Sequence, residues 1–312
     1  MLVVRGVAFP SLQFVQLHEN EFEIDTELVQ GLLATQVPDL AELSLRRLDS
    51  SGTVNAIYRL GDDLLVRLPR APEYVGGPER EARWMPVFAQ SLPIHVPKYE
   101  HLGRPTAHYP SHWSVLEWVE GDPAAESTVT SLDQAATDLG ETVVALREVS
   151  TANAPTGGNY RAFGLAGVDV DFRDWLAELP DDIDRFQVES VWDACVSVDE
   201  WALRPSWVHT DLRGDNLIAR GGRLVAVIDW EGCTVGDPSA DHLAAWWLFD
   251  GDSRETFRTA SGASKDTWFR AMGWALFMSV AAIPYYADTN PAFVGQAHRA
   301  LDEIFNDYSD HA

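Results

Sequence analysis

Between Trp207 and Glu231 the sequence gathers three oxygen-bearing side chains at a spacing that could serve chemistry: Asp211, Asn216 and Asp229. Gly221 and Gly222 form a two-residue hairpin signal, so Leu217 to Ala219 is expected to pair antiparallel with Leu224 to Ile228. Counting outward from that turn sets Asn216 near Val227, with Asp229 just past it at the same end of the hairpin. Asp211 then lies on the loop feeding the first strand. Such a cluster is hard and oxygen-only, which suits Mg²⁺ bridging phosphate oxygens and suits Zn²⁺ poorly, because His and Cys ligands are missing. A carboxylate held back from the metal can accept the proton of a substrate hydroxyl. Either aspartate alone is more often a turn or strand-end residue that caps backbone. The joint spacing, with His209 just before Asp211, is what argues for a site.

Side chains so spaced need rigid elements to hold them, and the hydrophobic pattern supplies two kinds. From Asp25 the run DTELVQGLLATQ sets Leu28, Val29, Leu32 and Leu33 on one helical face behind an Asp/Thr start signal. LSLRRLDSSGTVNAIYRL and LLVRLPR follow as strand-like runs, punctuated by Asp49 to Gly52 and by Gly61 to Asp63, and predict three antiparallel strands. PEREARWMPVFAQSL predicts a helix opened by Pro78, with Glu81, Trp84, Phe88 and Leu92 facing inward and Pro86 kinking or breaking it. Two more strands are expected around Val96 to Tyr99 and Trp113 to Val119, and Gly121, Asp122 and Pro123 mark a hinge. Helical periods dominate beyond it, in SLDQAATDLGETVVALREV and QVESVWDACV, with APTGGNY as a loop between them. The expectation is an α+β chain: an N-terminal extension (1–24), a strand-rich lobe (25–119) and a mostly helical lobe (120–312), with a cleft between the lobes.

HTDLRGDN (His209 to Asn216) followed by VIDW (Val227 to Trp230) resembles the catalytic and metal motifs of the aminoglycoside phosphotransferase family, protein-kinase-like small-molecule kinases that include macrolide phosphotransferases. In the same order, SGTVN resembles the family's phosphate-covering loop, LLVRLPR its third strand, EREARWMP its helix, LEWVEG its interlobe hinge and GDPSAD its post-metal segment. The likeness covers about residues 25 to 250. It implies a bilobal protein-kinase-like fold, ATP or GTP as phosphoryl donor, Mg²⁺ as cofactor and a small-molecule hydroxyl as acceptor. Carried over residue by residue, Asp211 would be the catalytic base, Asn216 and Asp229 the Mg²⁺ ligands, and His209 a support for the loop. Ser51, Gly52, Thr53 and Asn55 would cover the phosphates. Arg67 would hold the α- and β-phosphates where the family usually has lysine, with Glu81 as its partner; an arginine keeps its charge and can bind phosphate bidentately. Leu116 would line the adenine pocket, and Glu117 and Val119 would offer it backbone groups. Arg213 stands where serine/threonine kinases keep a γ-phosphate lysine and would help neutralise the transferring group. Asp237 would hold the loop, and Thr210 stands where glycine is common.

Composition bounds the partners. A formal net charge of −25 disfavours nucleic acid and anionic lipid, whose binding depends on Lys and Arg. Two cysteines, Cys195 and Cys233, without metal-type spacing point to a reducing compartment, the cytoplasm, rather than a disulfide scaffold. Arg5, Pro10 and Ser11 interrupt the first apolar run, so no targeting segment is expected, and WALFMSVAAIPYY is too short to span a bilayer. The acceptor is less legible. Asp181, Asp182, Asp184 and Glu189 could attract a cationic aminoglycoside or form a solvated helix face. Trp246, Trp247, Trp268, Trp274, Phe277, Tyr285 and Tyr286 could floor a macrolide pocket or pack a core. Two rivals stand beside the kinase: a noncatalytic nucleotide-binding regulator, and, more remotely, a metal-dependent hydrolase that would need more ligands or a nucleophile. Oligomeric state leaves no mark in the sequence.

Overall fold

A computed structural model describes residues 2–4, 7–9, 21–48, 54–155 and 159–311. A short antiparallel pair, β1 (Leu2–Val4) with β2 (Val7–Phe9), comes first. Helix α1 (Thr26–Gln36) begins where the Asp25 carboxylate accepts the Leu28 N–H at 2.8 Å, and it buries Val29, Leu32 and Leu33. These side chains cover one face of a five-stranded antiparallel sheet ordered β3-β4-β5-β7-β6. Its strands are β3 (Leu45–Arg47), β4 (Asn55–Leu60), β5 (Leu64–Pro69), β6 (Tyr99–Gly103) and β7 (Trp113–Glu117). The expected strand at Val96 to Tyr99 is thus displaced. Pro97 has no N–H to give a ladder, so β6 starts beyond it, and His95 instead exchanges backbone hydrogen bonds with Val225 and Val227.

Between β5 and β6 runs α2 (Gly77–Ser91), which continues past Pro86 instead of breaking there. Pro86 is exposed, so its ring meets solvent rather than a packed neighbour. The opposite face of α2 carries Glu81, Trp84, Met85 and Phe88 inward. Although α2 belongs by sequence to the strand-rich half, its aromatic face packs on the other half. Trp84 lies 4.5 Å from Trp207 between ring centroids, and Phe88 lies 5.1 Å from Trp207 and 4.9 Å from Trp230.

The helical lobe holds α3 (Leu132–Glu148), α4 (Asp169–Glu178), α5 (Arg185–Val196), α6 (Ala244–Trp247), α7 (Gly251–Ser261), α8 (Lys265–Tyr286) and α9 (Pro291–His311). Five short strands accompany these helices: β8 (Asp122–Pro123), β9 (Ser206–Val208), β10 (Leu217–Arg220), β11 (Arg223–Val227) and β12 (Thr234–Gly236), with β12 paired to β9 and β8 paired to β10. Helix α8 is buried from Thr267 to Ile283, which explains its nearly continuous apolar sequence. Trp246, Trp268, Trp274 and Phe277 lie in this core, and Trp246 and Trp268 both donate to Asp307. The acidic string is engaged too: Asp184 caps α5, Asp181 pairs with Arg185, and Glu189 pairs with Arg173. Cys195 and Cys233 are both free and buried. Among the described residues no helix is long and apolar enough to cross a membrane.

This is a bilobal α+β protein-kinase-like fold, with the strand-rich lobe on one side of the cleft and the helical lobe on the other.

Candidate active site

Strand β9 delivers the loop that starts at His209, which is fully buried. The Nε2 of His209 faces the Ile228 carbonyl at 2.9 Å, and Nδ1 faces the Asp211 N–H at 3.3 Å. A carbonyl only accepts, so the ring proton sits on Nε2 and Nδ1 is the acceptor. Beneath the loop, the Asp241 carboxylate accepts the His209 N–H at 3.0 Å and the Thr210 N–H at 2.7 Å. Thr210 has φ 77°, the left-handed region that a β-branched residue rarely adopts. That conformation is why glycine is at home in this position, and holding threonine there costs about 1–3 kcal/mol. The Asp241 bond offsets the strain, as do Asn159 Nδ2 donating to Thr210 Oγ1 at 2.8 Å and Arg161 donating to the Thr210 carbonyl at 3.0 Å.

Asp211 follows, and its carboxylate is gripped from three sides. Arg161 Nη1 donates to Oδ1 at 2.7 Å, Arg213 Nε to both oxygens at 3.3 Å, and Asn216 Nδ2 to Oδ2 at 2.8 Å. Burial alone would push this carboxyl up, but the charges of Arg213 and Arg161 prevail and hold it down at about 2. Asp211 is therefore ionised at neutral pH and acts as an acceptor of hydrogen bonds. Arg213 also pairs with Asp215 and lies over the Phe293 ring of α9 at 4.9 Å.

The hairpin of β10 and β11 carries the next two residues. Its register pairs Arg220 with Arg223 and Ala219 with Leu224, then slips by one residue so that Ile218 meets Ala226 and Leu217 meets Val227. The bulge moves Asn216 from the expected Val227 to Ile228, whose N–H donates to the Asn216 carbonyl at 2.9 Å. Asn216 therefore sits one position closer to Asp229 than simple counting predicts. Asn216 spends its amide hydrogens on the Asp211 carboxylate and the Asp211 carbonyl, which leaves Oδ1 as an unspent acceptor. Asp229 is itself left-handed, with φ 64° and ψ 62°, and its half-exposed carboxylate faces Arg67 Nη1 at 3.3 Å.

Arg67 projects from the middle of β5 and is buried. Its Nη2 pairs with Glu81 of α2 and with Glu231 at 2.9 Å, so three carboxylates, counting Asp229, surround one guanidinium. Burial pushes the Glu81 and Glu231 carboxyls up against the pull of Arg67. Burial would lower Arg67 itself, but Glu231, Glu81 and Asp229 outweigh it and raise the guanidinium. Asn55, the first residue of β4, donates from Nδ2 to both oxygens of Glu231 at 3.1 Å. Leu116 is buried on β7. The Glu117 N–H already donates to the Lys98 carbonyl at 2.9 Å and is not free to face a base; Val119 is half-buried in the segment joining the lobes. Ser51, Gly52 and Thr53, expected over the phosphates, lie outside the described residues.

The donor set fits Mg²⁺. Asn216 Oδ1 and the Asp229 carboxylate are hard oxygens on one edge of the hairpin, and the surplus of carboxylate over guanidinium around Arg67 favours cations. Among the described residues no group of three or more His, Cys, Asp or Glu side chains is arranged to hold a metal ion unaided.

Three residues of the site were given no role by the motif pattern. Arg161 arrives from the loop before α4, fifty positions upstream of the residue it pairs with. Glu231 follows Asp229 and Trp230 but faces the other lobe. Asp241, within the GDPSAD segment, binds backbone rather than any side chain of the motif. Asp237, in the same segment, pairs with buried Arg270 at 2.7 Å and caps Ser239.

Comparisons with known proteins meet this geometry. The sequence model of the phosphotransferase enzyme family (APH) matches residues 46–275, and the chain belongs to that family. No curated protein matches the chain. Among solved structures, the GDP complex of wild-type aminoglycoside 2'-phosphotransferase-IIIa superposes with a TM-score of 0.65 at 14% identity, over 91% of this chain and 100% of the other. The streptomycin-ATP-APH(2")-IIa ternary complex gives 0.57 at 17% identity, over 90% and 98%. The apoenzyme of macrolide 2'-phosphotransferase MphH from Brachybacterium faecium gives 0.56 at 20% identity, over 89% and 96%. At these identities the likeness is one of fold.

Proposed function

We propose that this chain is a cytoplasmic small-molecule kinase that transfers the γ-phosphoryl group of ATP or GTP to a hydroxyl of an antibiotic, aminoglycoside or macrolide, or of a related metabolite. One observation carries this reading: Asn216 is hydrogen-bonded through its side chain to Asp211 at 2.8 Å and through its backbone to Ile228 at 2.9 Å, beside Asp229. That arrangement supports an acceptor-orienting carboxylate with a pair of metal-ligating oxygens beside it.

In this scheme the strand-rich lobe (25–119) holds the nucleotide and the lobe from 120 onward holds the acceptor. Arg67 contacts the α- and β-phosphates, Ser51, Gly52, Thr53 and Asn55 cover them, and Leu116, Glu117 and Val119 border the base. Asn216 and Asp229 would hold Mg²⁺, which when bound would supply charge neutralisation for the triphosphate. Asp211 accepts a hydrogen bond from the substrate hydroxyl and aims its oxygen in line with the γ-phosphorus. A carboxylate held down at about 2 is a weak proton acceptor, so orientation is its main work; it takes the hydroxyl proton late, as the bond to the departing nucleoside diphosphate breaks and the new P–O bond forms. Arg213 lies beside Asp211, where it can neutralise the group in flight. His209 keeps the loop against Ile228 and does not meet substrate.

Solved relatives with the fold include complexes with streptomycin and a macrolide phosphotransferase, which supports antibiotics as the first acceptors to try. The test is a phosphotransfer screen with ATP and GTP across aminoglycosides, macrolides and simple hydroxylated metabolites, beside Asp211→Asn. Transfer to at least one acceptor, lost in the variant, is expected. Nucleotide binding without transfer to any acceptor would favour the noncatalytic regulator.

A further inference from the structure

We infer that Glu231 is a positioning residue that couples closure of the two lobes to the orientation of Arg67. The inference rests on the proposed role of Arg67 at the phosphates. Glu231 belongs to the turn Trp230–Gly232 of the helical lobe, yet it reaches Asn55, Arg67, Gly77 and Arg80, all of the strand-rich half. Its carboxylate accepts from Asn55 Nδ2 of β4 at 3.1 Å to each oxygen, and from Arg67 Nη2 of β5 at 2.9 Å. Its backbone carbonyl accepts from Arg80 Nη1 of α2. Its stem fills the space over Gly77 so closely that a Cβ there would stand 3.0 Å from Glu231 Cδ.

The two ends of the Arg67 guanidinium are treated differently. Nη2 is shared between Glu81 and Glu231, whereas among the described residues Nη1 faces the half-exposed Asp229 at 3.3 Å. The carboxylates thus fix one nitrogen and present the other to the cleft. Glu81 comes from α2, whose aromatic face packs on Trp207 and Trp230, whereas Glu231 also holds Asn55 of β4, in the same sheet as Arg67. Opening the cleft separates Glu231 from Arg67 and Asn55 together, so the guanidinium is fully oriented only when the lobes are closed. The same contact offers a physical reason for arginine at this position. A guanidinium can give one nitrogen to the two glutamates and the other to the cleft, whereas a lysine has one nitrogen for both tasks.

Nucleotide affinity of the full chain, measured by calorimetry with Mg²⁺ and again in EDTA, tests the idea independently of any acceptor. Glu231→Gln is expected to weaken nucleotide binding about tenfold in both conditions, and to weaken it far less in an Arg67→Lys background. Gly77→Ala, which crowds the same carboxylate from the opposite side, should shift affinity in the same direction while melting temperature stays near that of the wild type. Equal losses in the wild-type and Arg67→Lys backgrounds would overturn the coupling. So would an unchanged affinity in EDTA accompanied by a shifted Mg²⁺ titration, which would make Glu231 a metal ligand. Failure of the kinase proposal reads differently, as an intact nucleotide site with no acceptor phosphorylated.

Discussion

The two sides of the cleft invert each other's electrostatics. Around Asp211 one carboxylate is held by two guanidiniums, Arg161 and Arg213, and by the Asn216 amide. Around Arg67 one guanidinium is held by three carboxylates, Glu81, Asp229 and Glu231. The first arrangement is already compensated and keeps an acceptor charged and aimed. The second gathers more carboxylates than guanidiniums; burial pushes Glu81 and Glu231 up, and the half-exposed Asp229 is the carboxylate placed to meet a cation. In the proposed scheme charge balance would distinguish a group that orients a substrate from a group that waits for a ligand, even where both are buried arginine–carboxylate pairs.

Substitutions can break this contrast to different depths. Asp211→Asn removes the charged acceptor and should lower kcat about a thousandfold in a coupled phosphotransfer assay while leaving nucleotide affinity near that of the wild type. Arg67→Ala leaves three carboxylates facing one another, and should cut kcat/KM for the nucleotide about a hundredfold. Asp229→Asn reduces the negative excess; the Mg²⁺ concentration for half-maximal activity should rise at least about tenfold.

Arg161→Gln sharpens the comparison through pH. Arg161 and Arg213 hold the Asp211 carboxyl down at about 2, so its ionised form is lost only in strong acid. Removing one of these cations raises that value, and the acid limb of the kcat profile moves to higher pH. The same sign governs stability: a carboxyl depressed by folding stabilises the chain above the ordinary carboxylate range and loses that contribution as pH falls toward about 2. Thr210→Gly should have the smallest effect. It relieves φ 77° but forfeits the Asn159 hydrogen bond, so the unfolding free energy from denaturant titration should move by no more than about 1 kcal/mol.

Much of this site was legible because it is local. Asp211, Asn216 and Asp229 lie on a loop and a hairpin whose glycine turn announces itself, and Glu81 was placed inward by helical period alone. The register was not fully legible, since a bulge between Ile218 and Ala219 follows from packing that no turn residue encodes. Pro97 signalled a break that the strand assignment overlooked, and Pro86 signalled a break that its exposed position made unnecessary. Arg161 was invisible because an arginine in a loop is usually a solvated one.

By itself the sequence determined the order of elements, the hairpin, and which residue types stand where phosphate chemistry would need them, since helical and strand periods and turn residues act over a few positions. Only the tertiary structure decided which charges face each other. Arg67 with Glu231 and Asp211 with Arg161 join segments 164 and 50 positions apart. Such pairings depend on how the lobes pack, through Trp84 and Phe88 of α2 against Trp207 and Trp230, and packing between distant surfaces leaves no periodic trace in the chain.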